Sequence, residues 1–104
     1  MKRIMLVCAA GMSTSLLVTK MEQAAKAAGD EVEIFALPIS DGEKKLADVD
    51  CVLLGPQVRF QRKQIDKLIA DQGLDLPVDV IDMKDYGMMN GKAVYEFALK
   101  LMNK

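Results

Sequence analysis

Cys8 stands where a thiol can do chemistry. It closes the apolar run Ile4-Met5-Leu6-Val7 and opens the stretch Cys8-Ala9-Ala10-Gly11-Met12-Ser13-Thr14-Ser15. A long helical pattern follows at once. A strand-end thiol, a small-residue loop and a helix start together make an anion site with a nucleophile inside it. Loop N–H groups and a helix N-terminus favour negative charge. The same field favours thiolate over thiol. Once phosphorylated, the sulfur would carry roughly −1.5 to −2 charge, taking a phosphomonoester as guide. The amides that favoured thiolate would then hold the phosphoryl oxygens. Gly11 gives a wrapping loop unusual backbone angles, and Ser13, Thr14 and Ser15 add hydroxyl donors. An arbitrary cysteine in such a place packs against its neighbours, and Ser13-Thr14-Ser15 alone would be a helix cap. The position of this loop in the predicted sheet favours the functional reading.

Strand and helix patterns alternate from end to end. Ile4 to Cys8 is uniformly apolar, as for a strand covered on both faces. Ser13 to Ala28 reads as a helix with Leu17, Met21, Ala24, Ala25 and Ala28 on one face, Ser13 or Thr14 capping its start and Gly29 closing its end. Glu31 to Leu37 is the second strand, which Pro38 ends. A short helical piece is expected at Glu43 to Ala47. Asp50 to Leu54 is the third strand, broken by Gly55-Pro56. Arg59 to Gln72 reads as a helix with Ile65, Leu68 and Ile69 inward. Val78 to Ile81 is the fourth strand. Lys92 to Met102 is the last helix, with Val94, Phe97, Ala98 and Leu101 as its buried stripe. This alternation implies a three-layer α/β fold: a parallel sheet with helices on both faces. The uniformly apolar first and third strands belong in the centre, and Glu33 and Asp79 suit edges. The strand order is therefore 2-1-3-4. Ligands bind where such a sheet reverses direction, between strands one and three at their C-terminal ends. Cys8 sits there.

Composition narrows the function further. The 104 residues suit a single domain spanning 1–104, and 51% apolar content is enough for a sandwiched core. A net charge of −1 gives no basic field for nucleic acid, and 5% aromatic content gives no stacking platform. No apolar run approaches the roughly 18 residues of a membrane span. Met1-Lys2-Arg3 leads into a short strand and not into a long apolar segment, so a cytoplasmic location is expected. Histidine is absent, which removes any Ser-His or Cys-His pair and the commonest nitrogen ligand of zinc. No metal or organic cofactor is expected. The two cysteines, Cys8 and Cys51, lie at opposite ends of their strands, roughly 10 Å apart and beyond disulfide reach. Cys51 reads as a buried filler.

The segment Cys8-Ala9-Ala10-Gly11-Met12-Ser13-Thr14-Ser15-Leu16-Leu17 resembles the phosphocysteine loop of the IIB components of the bacterial phosphoenolpyruvate:sugar phosphotransferase system, in the lactose/cellobiose/chitobiose branch. Val52-Leu53-Leu54-Gly55-Pro56-Gln57 is similar to that branch's third strand and following loop. Val80-Ile81-Asp82 and Tyr86-Gly87 through Asn90-Gly91-Lys92 are similar to its C-terminal part. The resemblance covers nearly the whole chain and implies a phosphatase-like P-loop after strand one. It also implies a relay: a phosphohistidine on a IIA partner donates to Cys8, and Cys8 donates to a sugar hydroxyl held by a membrane IIC partner. The donor histidine and the membrane span then lie on other chains. Cellobiose, chitobiose, lactose and aryl-glucosides all remain open as the sugar.

A similar loop, C-x5-R-[ST], belongs to the tyrosine phosphatases. Counting from Cys8, Thr14 stands at the arginine position and Ser15 at the hydroxyl position. A bidentate guanidinium strongly stabilises a transferring phosphoryl group, and losing such a donor costs a rate factor of about 10² or more. The Asp-Pro pair that low-molecular-weight phosphatases use for their general acid is also missing. The phosphocysteine is therefore expected to form and to resist hydrolysis. A phosphatase-like hydrolase is the alternative; a non-catalytic anion-binding or thiol-redox module is another, though no second thiol neighbours Cys8. Beyond the loop, Gln57 and Tyr86 are candidates for the site rim. Arg59, Arg62 and Lys63 read first as a solvated helix face. Met12 suits either docking or inward packing; Met83, Met88 and Met89 read as core filling. Asp82, whose charge would repel phosphate, is expected to cap the next turn.

Overall fold

In the computed structural model the chain alternates strand and helix from end to end. The structure describes residues 2–8 and 12–103, with the side chains of 12–14 left out of the description. The strands are β1 (Lys2–Cys8), β2 (Val32–Pro38), β3 (Cys51–Leu54) and β4 (Val78–Val80). The helices are α1 (Met12–Ala27), α2 (Ile39–Gly42), α3 (Arg62–Asp71), α4 (Met83–Gly87) and α5 (Gly91–Met102). Short 3₁₀ turns lie at Leu46–Asp48 and Pro56–Gln61.

The sheet runs β2-β1-β3-β4 and every pair is parallel, which is the predicted order. Right-handed crossovers explain the layers. The chain steps one way from β1 to β2 and the other way from β3 to β4, so α1 and α3 fall on opposite faces. One core gathers Ile4, Leu6, Cys51 and Leu53 under Leu17 and Met21 of α1 and Val94, Ala98 and Leu101 of α5. The other gathers Met5, Val7, Val52 and Leu54 under Ile65 and Ile69 of α3. Successive residues of β1 and β3 thus feed both faces, which is why these strands are apolar at every position. No helix among the described residues is long and apolar enough to cross a membrane.

The charged residues of the two edge strands, Glu33 and Asp79, are each held by an arginine. Arg3 donates from its main-chain N–H to Asp50 Oδ2 at 2.8 Å and from Nε to Glu33 Oε2 at 2.7 Å. Arg62 donates to Asp79 Oδ1 at 3.0 Å and to the Val78 carbonyl at 3.3 Å.

Several local boundaries differ from the sequence reading. Pro38 is the last residue of β2, where an edge position tolerates a residue without an N–H. The helical piece expected at Glu43–Ala47 is split between α2 before it and the 3₁₀ turn Leu46–Asp48. Of the helix expected from Arg59, only Arg62–Asp71 is α-helical, because the Gly55-Pro56 entry first winds as 3₁₀. α1 starts at Met12, so Ser13 and Thr14 occupy its first turn and not its cap position. Ala28 lies beyond α1 and is exposed; Gly29, at φ +77°, turns the chain there while the Asp30 N–H reaches back to the Ala25 carbonyl. The sequence pattern signals the cap of α4 but not the helix itself: Asp82 Oδ1 accepts from the N–H groups of Lys84 at 2.8 Å and Asp85 at 3.3 Å.

Candidate functional site

Cys8 is the last residue of β1. Its register partner on one side is Pro38, the last residue of β2. On the other side the ladder has already ended at the pair Val7–Leu54. Beyond that pair the Gly55 N–H still bonds the Val7 carbonyl at 2.8 Å, and the Ile81 N–H bonds the Leu54 carbonyl at 2.8 Å. The thiol therefore sits where β1 and β3 part, and α1 begins four residues later at Met12. Cys8 is only 3% exposed. A sixteen-residue helix directed at this end of the sheet adds a partial positive charge at its N-terminus. Ala9, Ala10 and Gly11 lie outside the described residues, as do the side chains of Met12, Ser13 and Thr14. Ser15 is described: it is exposed in α1, and its carbonyl accepts the Thr19 hydroxyl at 3.2 Å.

Gly55 is where the two proposed rim residues meet. A Cβ built on it would fall 3.1 Å from Gln57 Oε1, 3.5 Å from the Val7 carbonyl oxygen and 3.7 Å from Tyr86 Cε2. The residue before Cys8, the loop after β3 and the helix after β4 thus converge on one glycine with little room for a side chain. Gln57 is exposed there. Tyr86 is buried in the α1/α5 core and presents a ring edge to this point. In the sequence, Gly55-Pro56 signals only a strand break; the close approach depends on residues some thirty or more positions away in either direction.

The basic cluster after β3 divides. Arg59 donates to the Pro56 carbonyl at 3.1 Å, closing its own turn. Arg62 is turned to Asp79 on β4 and also faces Asp66 at 3.7 Å. Lys63 is exposed. The methionines correct the expectation of core filling. Met83 and Met88 are exposed, because the short helix α4 points them outward while Tyr86 between them takes the core position. Met89 does pack on the core, with its backbone at φ +51° to turn the chain from α4 into α5.

The cysteines differ in kind. Cys51 starts β3 opposite Ile4, four residues down β1 from Cys8, or about 13 Å along the strand. Neither forms a disulfide. Burial, followed by the charges of Asp50 and Asp79, pushes the Cys51 thiol from 9.0 up to about 12. That makes it an inert core group.

Comparison with known proteins agrees with this arrangement. The family model described as "PTS system, Lactose/Cellobiose specific IIB subunit" matches residues 3–97. The oligo-beta-mannoside-specific EIIB component of Bacillus subtilis (strain 168) is 48% identical over 102 residues, covering 98% of this chain and 97% of that protein. The galactose-specific EIIB component of Lactococcus lactis subsp. cremoris (strain MG1363) is 49% identical over 107 residues, with the same shares covered. Among solved structures, that of the cellobiose-specific phosphotransferase IIB component of Borrelia burgdorferi superposes with a TM-score of 0.80 at 36% identity, covering 98% of this chain and 92% of that one. This chain therefore belongs to the lactose/cellobiose-specific IIB subunits of the sugar phosphotransferase system, and is a phosphotransferase component of sugar uptake.

Proposed function

We propose that the chain acts as a single domain over residues 1–104, in the cytoplasm, and carries the phosphoryl group on Cys8. The observation that supports this most directly is the position of Cys8 as the final β1 residue, at the reversal of strand order and before α1. The donor is a phosphohistidine on a IIA protein. Cys8 Sγ attacks phosphorus, the N–P bond breaks, and the thiol proton replaces phosphorus on the imidazole. An S–P bond has formed and no electrons have changed hands. In the second step a hydroxyl of a sugar held by a membrane IIC protein attacks the same phosphorus. The S–P bond breaks, an O–P bond forms, and the hydroxyl proton returns the sulfur to a thiol.

The backbone from Ala9 to Ser15 binds the phosphoryl oxygens in both steps, and Gln57 and Tyr86 border the site. Burial of Cys8 suits a thiophosphate that must outlast its wait for the acceptor, since an enclosed sulfur limits attack by water. The absence of an arginine at Thr14 works in the same direction. The sugar is set mainly by the membrane partner: the relatives named for oligo-beta-mannoside and for galactose are both about half identical to this chain.

The test is intact-mass spectrometry after incubation with phosphoenolpyruvate, the upstream phosphocarriers and a IIA protein. One added phosphoryl group is expected, and none in Cys8→Ser. Rapid turnover of an aryl phosphate, or a phosphoryl group that persists in Cys8→Ser, would overturn the reading.

A further inference from the structure

The outer edge of β4 is occupied by side chains. The ladder to β3 uses Pro77, whose carbonyl accepts the Val52 N–H at 3.0 Å, and Ile81, whose N–H bonds the Leu54 carbonyl at 2.8 Å. Alternate residues of a strand direct their main-chain groups to opposite sides. Val78 and Val80 therefore turn theirs away from β3, to the free edge of the sheet. Two of these outward groups are taken. The Val80 N–H donates to Asp79 Oδ1 at 2.7 Å, and the Val78 carbonyl accepts from Arg62 Nη2 at 3.3 Å. Arg62 Nη1 also donates to that same Asp79 oxygen at 3.0 Å, so one ion pair spans both groups. Arg62 opens α3, and its Nε faces Asp66, one turn on, at 3.7 Å. Hollows of about 320 Å³ and 310 Å³ share Asp79 in their walls, one reaching Leu101 and the other Phe97, so the strand borders open space.

We propose that the Arg62–Asp79 pair keeps a second copy of this chain from adding to the sheet at β4. An uncovered strand edge is a template for pairing. The strand that fits this edge is β4 itself. About a two-fold axis at Asp79, antiparallel β4 strands would set Val78 of each copy against Val80 of the other, exchanging both main-chain bonds at each pair. That pairing needs the Val80 N–H and the Val78 carbonyl, the two groups that the ion pair holds. It would also bring two Asp79 carboxylates together at the axis. Net charge does not keep copies apart, because a chain at −1 repels its own kind little. An exposed ion pair adds little to stability. What this one contributes is its position over the edge.

The test is sedimentation equilibrium over a range of protein concentrations. It compares wild type, Arg62→Ala, the double variant Arg62→Ala/Asp79→Ala, that double variant with Val80→Pro added, and Asp66→Ala. Circular dichroism confirms folding. The double variant should associate at a concentration about tenfold or more below wild type, as when a blocked main-chain bond becomes available. Its Val80 amide should exchange more slowly with solvent as its concentration rises. Arg62→Ala alone, at an exposed position, should shift in the same direction, and it decides the matter if the double variant does not fold. Val80→Pro removes an outward N–H without touching the ladder to β3, so it should return the double variant to wild-type behaviour. Asp66→Ala removes the other partner of Arg62 and leaves the edge closed, so it should match wild type. A folded double variant that associates no more than wild type would overturn the proposal. So would association that survives Val80→Pro, since another surface would then carry it, or an equal gain in Asp66→Ala.

Discussion

Gly91 lies directly on the main chain of Lys20. A Cβ placed on Gly91 would fall 2.4 Å from both the carbonyl carbon and the Cβ of Lys20, and 2.6 Å from the Met21 nitrogen. α5 begins at this glycine, with the Asn90 side chain accepting from the Ala93 N–H at 3.2 Å. α1 and α5 therefore approach at a point where only a missing side chain allows it, and together they cover the face of the sheet that holds Leu6 and Ile4.

Gly91→Ala should destabilise the fold by about 1–3 kcal/mol, the usual cost of forcing a methyl group into packed structure. The obstacle is backbone, so no rotamer change relieves it. Gly87→Ala is the matched control: nothing lies within 4 Å of its Cβ position, and Gly87 is in α4. It should be neutral or gain up to about 1 kcal/mol. Urea unfolding of both variants checks the contrast.

Gly55→Ala tests the convergence beside Cys8. Its backbone, at φ −62° and ψ 150°, accepts alanine without strain. The methyl would press on Gln57 Oε1, the end of a flexible exposed side chain, and then approach the Val7 carbonyl. Stability should fall by less than about 1.5 kcal/mol. The rate of phosphoryl transfer should fall several-fold, because Gln57 is displaced from the rim. Equal rates in the two proteins would show that Gln57 takes no part.

Tyr95 and Asp30 provide a pH signature at the opposite pole. The Tyr95 hydroxyl donates to Asp30 Oδ2 at 2.7 Å. Burial, then that hydrogen bond, then the Asp30 charge push the phenol from 10.0 up to about 12. A group raised on folding stabilises through its protonated form. Its contribution is fully present below pH 10 and is lost as the pH rises through 12. Tyr95→Phe should cost about 1.5 kcal/mol at neutral pH, the low end for a hydrogen bond to a charged group, since Asp30 is exposed. The gap between wild type and variant should narrow between pH 10 and 12, measured by denaturation at each pH.

Cys51 should be silent to thiol reagents in the folded protein. It is fully buried in the α1/α5 core, and its thiol is pushed up to about 12. In a Cys8→Ser background, the aromatic disulfide reagent of a thiol titration should find no reactive group until denaturant is added, and one afterwards. The raised thiol acts in the same sense as Tyr95: its contribution to stability is complete below pH 9 and is lost as the pH rises through 12.

The sequence alone determined the alternation of strand and helix, the 2-1-3-4 order, and the placing of Cys8 at the reversal point. These follow from local patterns: continuous apolar runs at Ile4–Cys8 and Cys51–Leu54 require cover on both faces, and charged Glu33 and Asp79 require an edge. Asp82 as a cap was also legible, because a capping carboxylate acts on amides two and three residues away. Only the tertiary structure decided which methionines are covered. Met83 and Met88 have the composition of core residues, but Tyr86 takes the inward position of so short a helix. Nor does the sequence reveal that Arg62 turns to Asp79, that Gly55 is hemmed in by Val7, Gln57 and Tyr86, or that Gly91 carries the contact with Lys20. Each depends on elements far apart in the chain meeting in space, and periodicity records which residues want burial, not which neighbour provides it.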